Sequence, residues 1–185
     1  TVILDEQQAR RNIARMAEKA NRAGIRFRPH FKTHQSAVIG EWFRDVGVTA
    51  ITASSLGMAS YFADHGWDDI TIAFPVNLRQ LDEIDALAGR VQLGVLVDSL
   101  VALEGLAARL SHPVAVWIEI DAGYQRSGVD WRDQVLLRQL AVRCTACPRL
   151  TLTGVLSHAG NTYGARSVEA VTSIHNETVM RMDEA

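Results

Sequence analysis

Apolar positions along the chain alternate between a helical period and short continuous runs. A helical pattern opens at Asp5, with Gln8 three residues on as a capping box. Its apolar face is Ile13, Met16, Ala17 and Ala20, and Gly24 follows as the stop. IRFRP then reads as a short strand, followed by the polar segment HFKTHQS. Val38, Ile39, Trp42, Phe43 and Val46 share one face of a second helix that ends at Gly47. The cycle repeats from there. VTAITAS reads as a strand, LGMASYFADHG as a helix ending at Gly66, and DDITIAF as a strand. NLRQLDEIDALAG is a helix capped by Asn77, apolar at Leu78, Leu81, Ile84 and Leu87, with Gly89 as its stop. VQLGVLVD is a strand and Ser99 to Leu110 a helix; PVAVWIEID is a strand and Trp131 to Cys144 a helix. LTLTGVLSH is the last strand, and a final helix runs from about Arg166 to the end.

That pattern makes six strands, each followed by a helix, after one leading helix. Strands written as near-continuous apolar runs suit parallel pairing with both faces buried. Short loops without a linker point to one domain over residues 1–185. Alternating β and α leaves a doubly wound open sheet or a barrel. The first strand–helix turn, RPHFKTHQS, holds no glycine, which argues against a dinucleotide-binding turn. Lys32, Ser54, Arg126 and His158 instead lie just past the C-terminal ends of separate strands, the way barrel active sites are built. The expected fold is therefore α/β, a parallel (β/α) TIM-type barrel with six of its eight units present. A whole barrel takes about 250 residues, and the chain has 185. It starts without Met and stops within a helical pattern, so both ends read as cut.

Composition narrows the partners. Nineteen basic residues against 21 acidic ones leave a formal charge of −2, with no clustered basic field for nucleic acid. The apolar runs are of strand length, well below the ~18 residues of a membrane span. TVILDEQQARRN carries no apolar stretch behind basic residues, so no signal peptide is read. The expectation is a cytoplasmic protein with no membrane and no nucleic-acid partner. The two cysteines, Cys144 and Cys147, end a helix before Pro148. A redox pair wants its first thiol at a helix N-terminus, so these read as two half-buried thiols.

Only two lysines stand against 17 arginines, which makes each lysine worth questioning. Lys19 falls on the exposed side of the first helix as a solvated charge. Lys32 falls at the end of the first strand, flanked by His30 and His34. An amine held among basic neighbours in a partly dry pocket has a lowered pKa and becomes a usable nucleophile. The reaction that wants it is imine formation with a carbonyl, above all that of pyridoxal phosphate. A plain surface lysine is the alternative. His30 and His34 are four residues apart, but beside Pro29 and after a strand that spacing does not aim two metal ligands together. No metal site is expected in this chain. The pair reads instead as tuning or orienting Lys32, with His34 available to substrate. In HAGNTYG, residues Asn161, Thr162 and Tyr163 line a phosphate or substrate pocket, or form a plain loop.

RPHFKTH resembles the cofactor-lysine motif RPH-x-KTH of the D-threonine aldolases and eukaryotic-type D-serine dehydratases. These are fold-type III pyridoxal-phosphate enzymes related to the N-terminal barrel of alanine racemase. EIDAGYQRSGV resembles the family's E-x-D-x-G-x-x-R-x-G segment, and GVLSHAGNTY its strand-six segment, in the same order. The resemblance implies that Lys32 forms the Schiff base and serves as a base at the substrate α-carbon. It implies that Arg126 contacts the cofactor's phenolic oxygen and that His158 packs on its ring. A salt bridge from Arg126 to Glu119 or Asp121 is the alternative, as is a histidine that merely caps a strand end. It implies a lyase that cleaves or dehydrates a β-hydroxy D-amino acid such as D-threonine or D-serine. Taken with the residue readings above, the expected site has Lys32 and His34 catalytic and Lys32, Arg126, His158, Asn161 and Tyr163 on the cofactor. An amino-acid racemase and a non-catalytic pyridoxal-phosphate carrier are the alternatives. Against the family pattern, strands seven and eight and the C-terminal β domain are missing, and with them the phosphate loops and the divalent metal ligands. A homodimer is implied for the full-length enzyme, and this piece alone is expected to be inactive.

Overall fold

Side-chain caps set where the helices begin. In the computed structural model, which describes residues 3–185, Asp5 accepts the Gln8 amide at 2.9 Å and opens α1 (Glu6–Arg22). Gln8 turns its own amide to Asn12, so only half of the capping box forms. Ser36, Ser55, Ser99, Asp133 and Ser167 do the same for α2 (Ala37–Arg44), α3 (Leu56–Asp64), α5 (Leu100–Arg109), α6 (Gln134–Thr145) and α7 (Val168–Glu184). Asn77 caps a 3-10 turn over Leu78–Gln80, and α4 (Leu81–Ala88) starts after it. The strands are β1 (Ile51–Ala53), β2 (Asp69–Pro75), β3 (Gln92–Val97), β4 (Val114–Asp121), β5 (Val129–Asp130) and β6 (Leu150–Leu156). The chain forms two compact units, one up to Ala73 with Arg90–Leu93, the other Phe74–Gly89 with Gly94–Ala185.

In the first unit, β1 and β2 pair in parallel, Ile51 opposite Ile70. The segment IRFRP, expected as a strand, forms no ladder. Only His30 bridges Thr52, and the Thr52 amide donates to the Pro29 carbonyl at 2.9 Å. Pro29 has no N–H to return, which breaks the alternation a ladder needs. Side chains hold the segment instead: the Arg28 guanidinium donates to the Ile51 carbonyl at 3.1 Å and to Asp69 at 2.8 Å. The core centres on Phe31, which is 0% exposed. Its ring meets Phe43 at 5.1 Å, Phe62 at 4.8 Å and Trp67 edge-on at 5.1 Å. Gly40 of α2 is small for this reason, since a Cβ there would stand 3.3 Å from both Phe31 and Trp67. Ile13, Ala17 and Ala20 of α1 are buried, whereas Met16 and Val38, expected on the apolar faces, are exposed.

In the second unit, β4 is central. It pairs in parallel with β3, with β6 and, at its C-terminal end, with the two-residue β5. β5 was not marked by any apolar run; it replaces IRFRP in the count of six strands. β3 and β4 are nearly continuous buried runs, as expected for parallel strands. β6 is not: it alternates exposed and half-buried residues after Leu150, as its Thr-Leu-Thr sequence allows. A register shift falls between Val116 and Trp117, opposite Leu152 and Gly154. Gly154 sits at φ 153°, and a Cβ there would lie 3.3 Å from the Trp117 ring.

Replacing Phe31 by alanine should cost about 3–5 kcal/mol, because four aromatic neighbours would line the cavity. Urea unfolding followed by tryptophan fluorescence reads this directly, and Phe31→Leu should lose clearly less. Equal midpoints for wild type and Phe31→Ala would show that Phe31 is not the packing centre.

Candidate functional site

The lysine turn belongs to the first unit. Residues Phe31–Thr33 form one 3-10 turn, and His30 caps it by accepting the Lys32 amide on Nδ1 at 3.3 Å. The Thr33 hydroxyl donates to the His30 carbonyl at 3.3 Å. The amide of Gln35 closes on the Phe31 carbonyl at 2.9 Å, and its side-chain amide donates to the Lys32 carbonyl at 3.3 Å. Phe31 points into the core, so the next residue, Lys32, points to the exposed side. Gln35 takes φ +50°, a conformation rare outside glycine.

His34 follows on the same turn, between Phe31 (centroid distance 4.5 Å) and a stacked Phe43 (5.7 Å). Its Nδ1 accepts the Ser36 amide at 3.1 Å, which leaves the proton of a neutral ring on Nε2. Nε2 is buried with no hydrogen-bond partner. Burial pushes the imidazole below its ordinary value, so the neutral form is favoured. His34 therefore packs against the lysine turn, with Nδ1 engaged by the Ser36 amide and Nε2 buried. Ser54, at the end of β1, is half-buried with its hydroxyl 3.9 Å from the Met58 sulfur.

The second unit holds Arg126, His158, Asn161 and Tyr163. Arg126 lies in the loop between β4 and β5. Asp121 shapes that loop by accepting the amides of Gly123 at 2.8 Å and Gln125 at 3.0 Å on one oxygen. Gln125 takes φ +59°, and Gly128 takes φ 102° where a Cβ would strike the β4 backbone 2.7 Å away. Arg126 is exposed, with its guanidinium 5.8 Å from the Tyr124 ring. Among the described residues it makes no ion pair with Glu119 or Asp121, so the salt-bridge alternative is not what holds it. Glu119 lies beneath, 2% exposed. Ser127 donates to one of its oxygens at 2.9 Å, and the other is buried without a partner. Burial pushes this carboxyl above the usual carboxylate range, and the Arg126 charge only partly opposes that.

Tyr124, His158 and Tyr163 form an edge-to-face trio with centroids 5.4–6.3 Å apart. Gly160 makes room for it, since a Cβ there would stand 2.5 Å from the Tyr124 ring. Asn161 is half-buried, and its carbonyl oxygen is buried without a partner. Tyr163 stands out at 68% exposed. Glu119, Ser127, Tyr124 and Gly160 are additions to the sequence-derived set. An acid flanked on both sides by isoleucine, in VWIEI, was the available signal for Glu119, and a lone aromatic in a polar loop for Tyr124.

Cys144 is fully buried, where a half-buried thiol was expected, and Cys147 is half-buried; both are free. Burial raises the Cys144 thiol, the opposite of a reactive thiolate. Among the described residues, no cluster of three or more His, Cys, Asp or Glu side chains is placed to hold a metal, and no helix is long and apolar enough to cross a membrane.

An exposed lysine on a capped turn, with an arginine loop and an aromatic cluster beyond other parallel strands, defines a parallel α/β domain of the partial-barrel class. Residues 4–182 match the family described as the alanine racemase N-terminal domain, and the chain belongs to that family. It is similar to the D-threo-3-hydroxyaspartate dehydratase of Delftia sp. strain HT23, 35% identical over 176 residues, covering 93% of this chain and 46% of that one. The solved structure of that enzyme superposes with a TM-score of 0.92 at 32% identity, over 98% of this chain and 48% of the other. The D-serine dehydratase of Schizosaccharomyces pombe is 25% identical over 182 residues, covering 92% of this chain and 44% of that one. The 3-hydroxy-D-aspartate aldolase of Paracoccus denitrificans is 28% identical over 167 residues, covering 86% and 42%. The chain thus spans about half the length of the curated relatives it matches.

The lowered His34 pKa carries a sign. The unfolded chain takes up this proton more readily than the folded one, so the stability His34 contributes is present above its ordinary value of 6.5 and lost as pH falls below it. The unfolding free energy of the wild type should therefore drop more steeply from about pH 7 to about pH 5 than that of His34→Phe. Parallel slopes in denaturant titrations at the two pH values would contradict the buried neutral ring.

Proposed function

We propose that the chain carries the lysine-bearing part of a pyridoxal-phosphate-dependent lyase that dehydrates or cleaves small β-hydroxy D-amino acids. The substrate class is supported by the relatives: two are named as dehydratases and one as an aldolase, each for a D-amino acid with an oxygen on its β-carbon. One observation in this chain carries the proposal. Lys32, one of only two lysines, is turned outward by the burial of Phe31, within the segment that resembles the family's cofactor-lysine motif.

The chemistry of the residues fits the cofactor. An exposed primary amine suits its carbonyl, an exposed guanidinium suits its phenolic oxygen, and flat rings suit its flat ring. The unpartnered Asn161 oxygen is an acceptor with nothing yet to accept. When bound, the cofactor supplies a carbonyl for the amine and a ring that withdraws electrons from the substrate α-carbon. The protein residues supply the rest. Lys32 holds the cofactor and moves a proton at the α-carbon. His30 fixes the Lys32 backbone through its capping bond, and His34 braces the turn from inside. Arg126 would meet the negative oxygen, His158 and Tyr163 would cover the ring, and Asn161 would accept a hydrogen bond. A cytoplasmic location is part of the proposal, supported by two thiols that are both free.

The test uses the full-length protein with pyridoxal phosphate, reduced with borohydride and mapped by peptide mass. The label should fall on Lys32, and Lys32→Ala should lose it together with turnover of D-threo-3-hydroxyaspartate and D-serine. Label on Lys19, or no label, overturns the assignment. Label on Lys32 without turnover of any β-hydroxy D-amino acid overturns the lyase and leaves a cofactor carrier.

A further inference from the structure

The β4–β5 connection that carries Arg126 is gripped from outside by a single side chain of α7. Arg181 donates from one terminal nitrogen to the Ala122 carbonyl at 2.8 Å, 59 residues away in sequence. Ala122 is the first residue after β4. The same guanidinium lies 5.7 Å from the ring of Trp131, the first residue after β5. Glu177, one helical turn earlier on α7, holds the second terminal nitrogen. The side chain is only 22% exposed. Gly123 leaves the space free: a Cβ there would overlap the Arg181 guanidinium. One planar cation therefore bonds one end of the loop and lies over the ring at the other, and Arg126 lies between them.

We infer that Arg181 is a positioning residue that sets where the Arg126 loop stands, and so where the Arg126 cation meets its ligand. The clamp itself is a matter of this structure, whereas its consequence for the ligand rests on the proposed role of Arg126. The other ties of the loop run to β4 and to the His158 and Tyr163 rings rather than to α7. Asp121 organises the Gly123 and Gln125 amides, and Ser127 bonds Glu119, but neither is anchored on a helix. Arg181 alone among these joins the loop to α7. A guanidinium suits the task because its fork reaches a carbonyl and a carboxylate at once while its face lies toward an indole, whereas a lysine ammonium satisfies one of these at a time.

The experiment compares wild type with Arg181→Met, Arg181→Lys, Arg126→Met and the double variant Arg126→Met/Arg181→Met, all as full-length protein. Amide hydrogen exchange of the peptide spanning residues 122–130 should speed up about tenfold in Arg181→Met, the loss expected for one hydrogen bond, and less in Arg181→Lys. Exchange in α1 should not change. Pyridoxal-phosphate affinity, read by its absorbance on titration, should weaken in Arg181→Met and in Arg126→Met. The double variant should be no weaker than Arg126→Met alone, because both act through one cation. Unchanged exchange at 122–130 overturns the clamp. Faster exchange with unchanged cofactor affinity in Arg181→Met, while Arg126→Met binds weakly, overturns the positioning role and leaves the cofactor assignment standing. Full affinity in Arg126→Met overturns the assignment of Arg126 itself, and the exchange result then still decides the clamp.

Discussion

Phe31 and Lys32 are neighbours in sequence and belong to opposite environments. The phenylalanine is fully buried among Phe43, Phe62, Trp67 and the His34 ring, and the lysine is exposed. Burying an aromatic ring of this size is worth several times a single surface hydrogen bond. That gain fixes the backbone of the 3-10 turn, and the turn fixes the direction of the lysine. Gly40 and the aromatic cluster exist, in this sense, to hold an amine in place from below. The energetic order matters: hydrogen bonds from His30, Thr33 and Gln35 trim the turn, but they act on a chain already pinned by its ring.

The second unit achieves a similar end by polar means. Its arginine loop has little apolar anchoring; Arg126 and Tyr124 are exposed. A carboxylate, Asp121, organises two amides, and a buried carboxyl, Glu119, takes the Ser127 hydroxyl. A buried carboxyl with one unpartnered oxygen is costly if ionised, which is why its pKa rises instead. The Arg126 charge lowers that cost without closing an ion pair, so the guanidinium remains exposed.

Much of the fold was legible because its signals are local. Asp5 and Ser99 open their helices where the sequence places them, by caps that need only the next three residues. Gly47 and Gly66 announce helix ends through positive φ. IRFRP was misread because an extended, half-apolar segment and a paired strand look alike in sequence, and the missing N–H of Pro29 decides between them. β5 left no signal, since two residues carry no period. In the site, Lys32 was legible by rarity and by its motif. Arg126 and His158 stood out by their places just past strand ends, Asn161 and Tyr163 by a glycine-spaced polar loop, and only the family resemblance gave Arg126 and His158 particular roles, because their neighbours come from loops far apart in the chain. Arg181 had no signal at all. Its partner is a backbone carbonyl, and a carbonyl has no residue identity.

Among the described residues, only Gln35 and Gln125 are non-glycine residues with positive φ. One lies three residues after Lys32 and the other immediately before Arg126. Such conformations cost about 1 kcal/mol or more each and persist only where surrounding bonds over-determine them. Here they do. The Gln35 amide closes on the Phe31 carbonyl, and the Gln125 amide on the Asp121 carboxylate, a charged acceptor worth more than a neutral one. Strain is thus tolerated twice in the described chain, each time beside one of the two cations proposed to hold the cofactor. A surface loop that served only to connect its strands could relax either residue by one glycine. That neither position has done so fits a backbone whose shape is used to aim the side chain next to it.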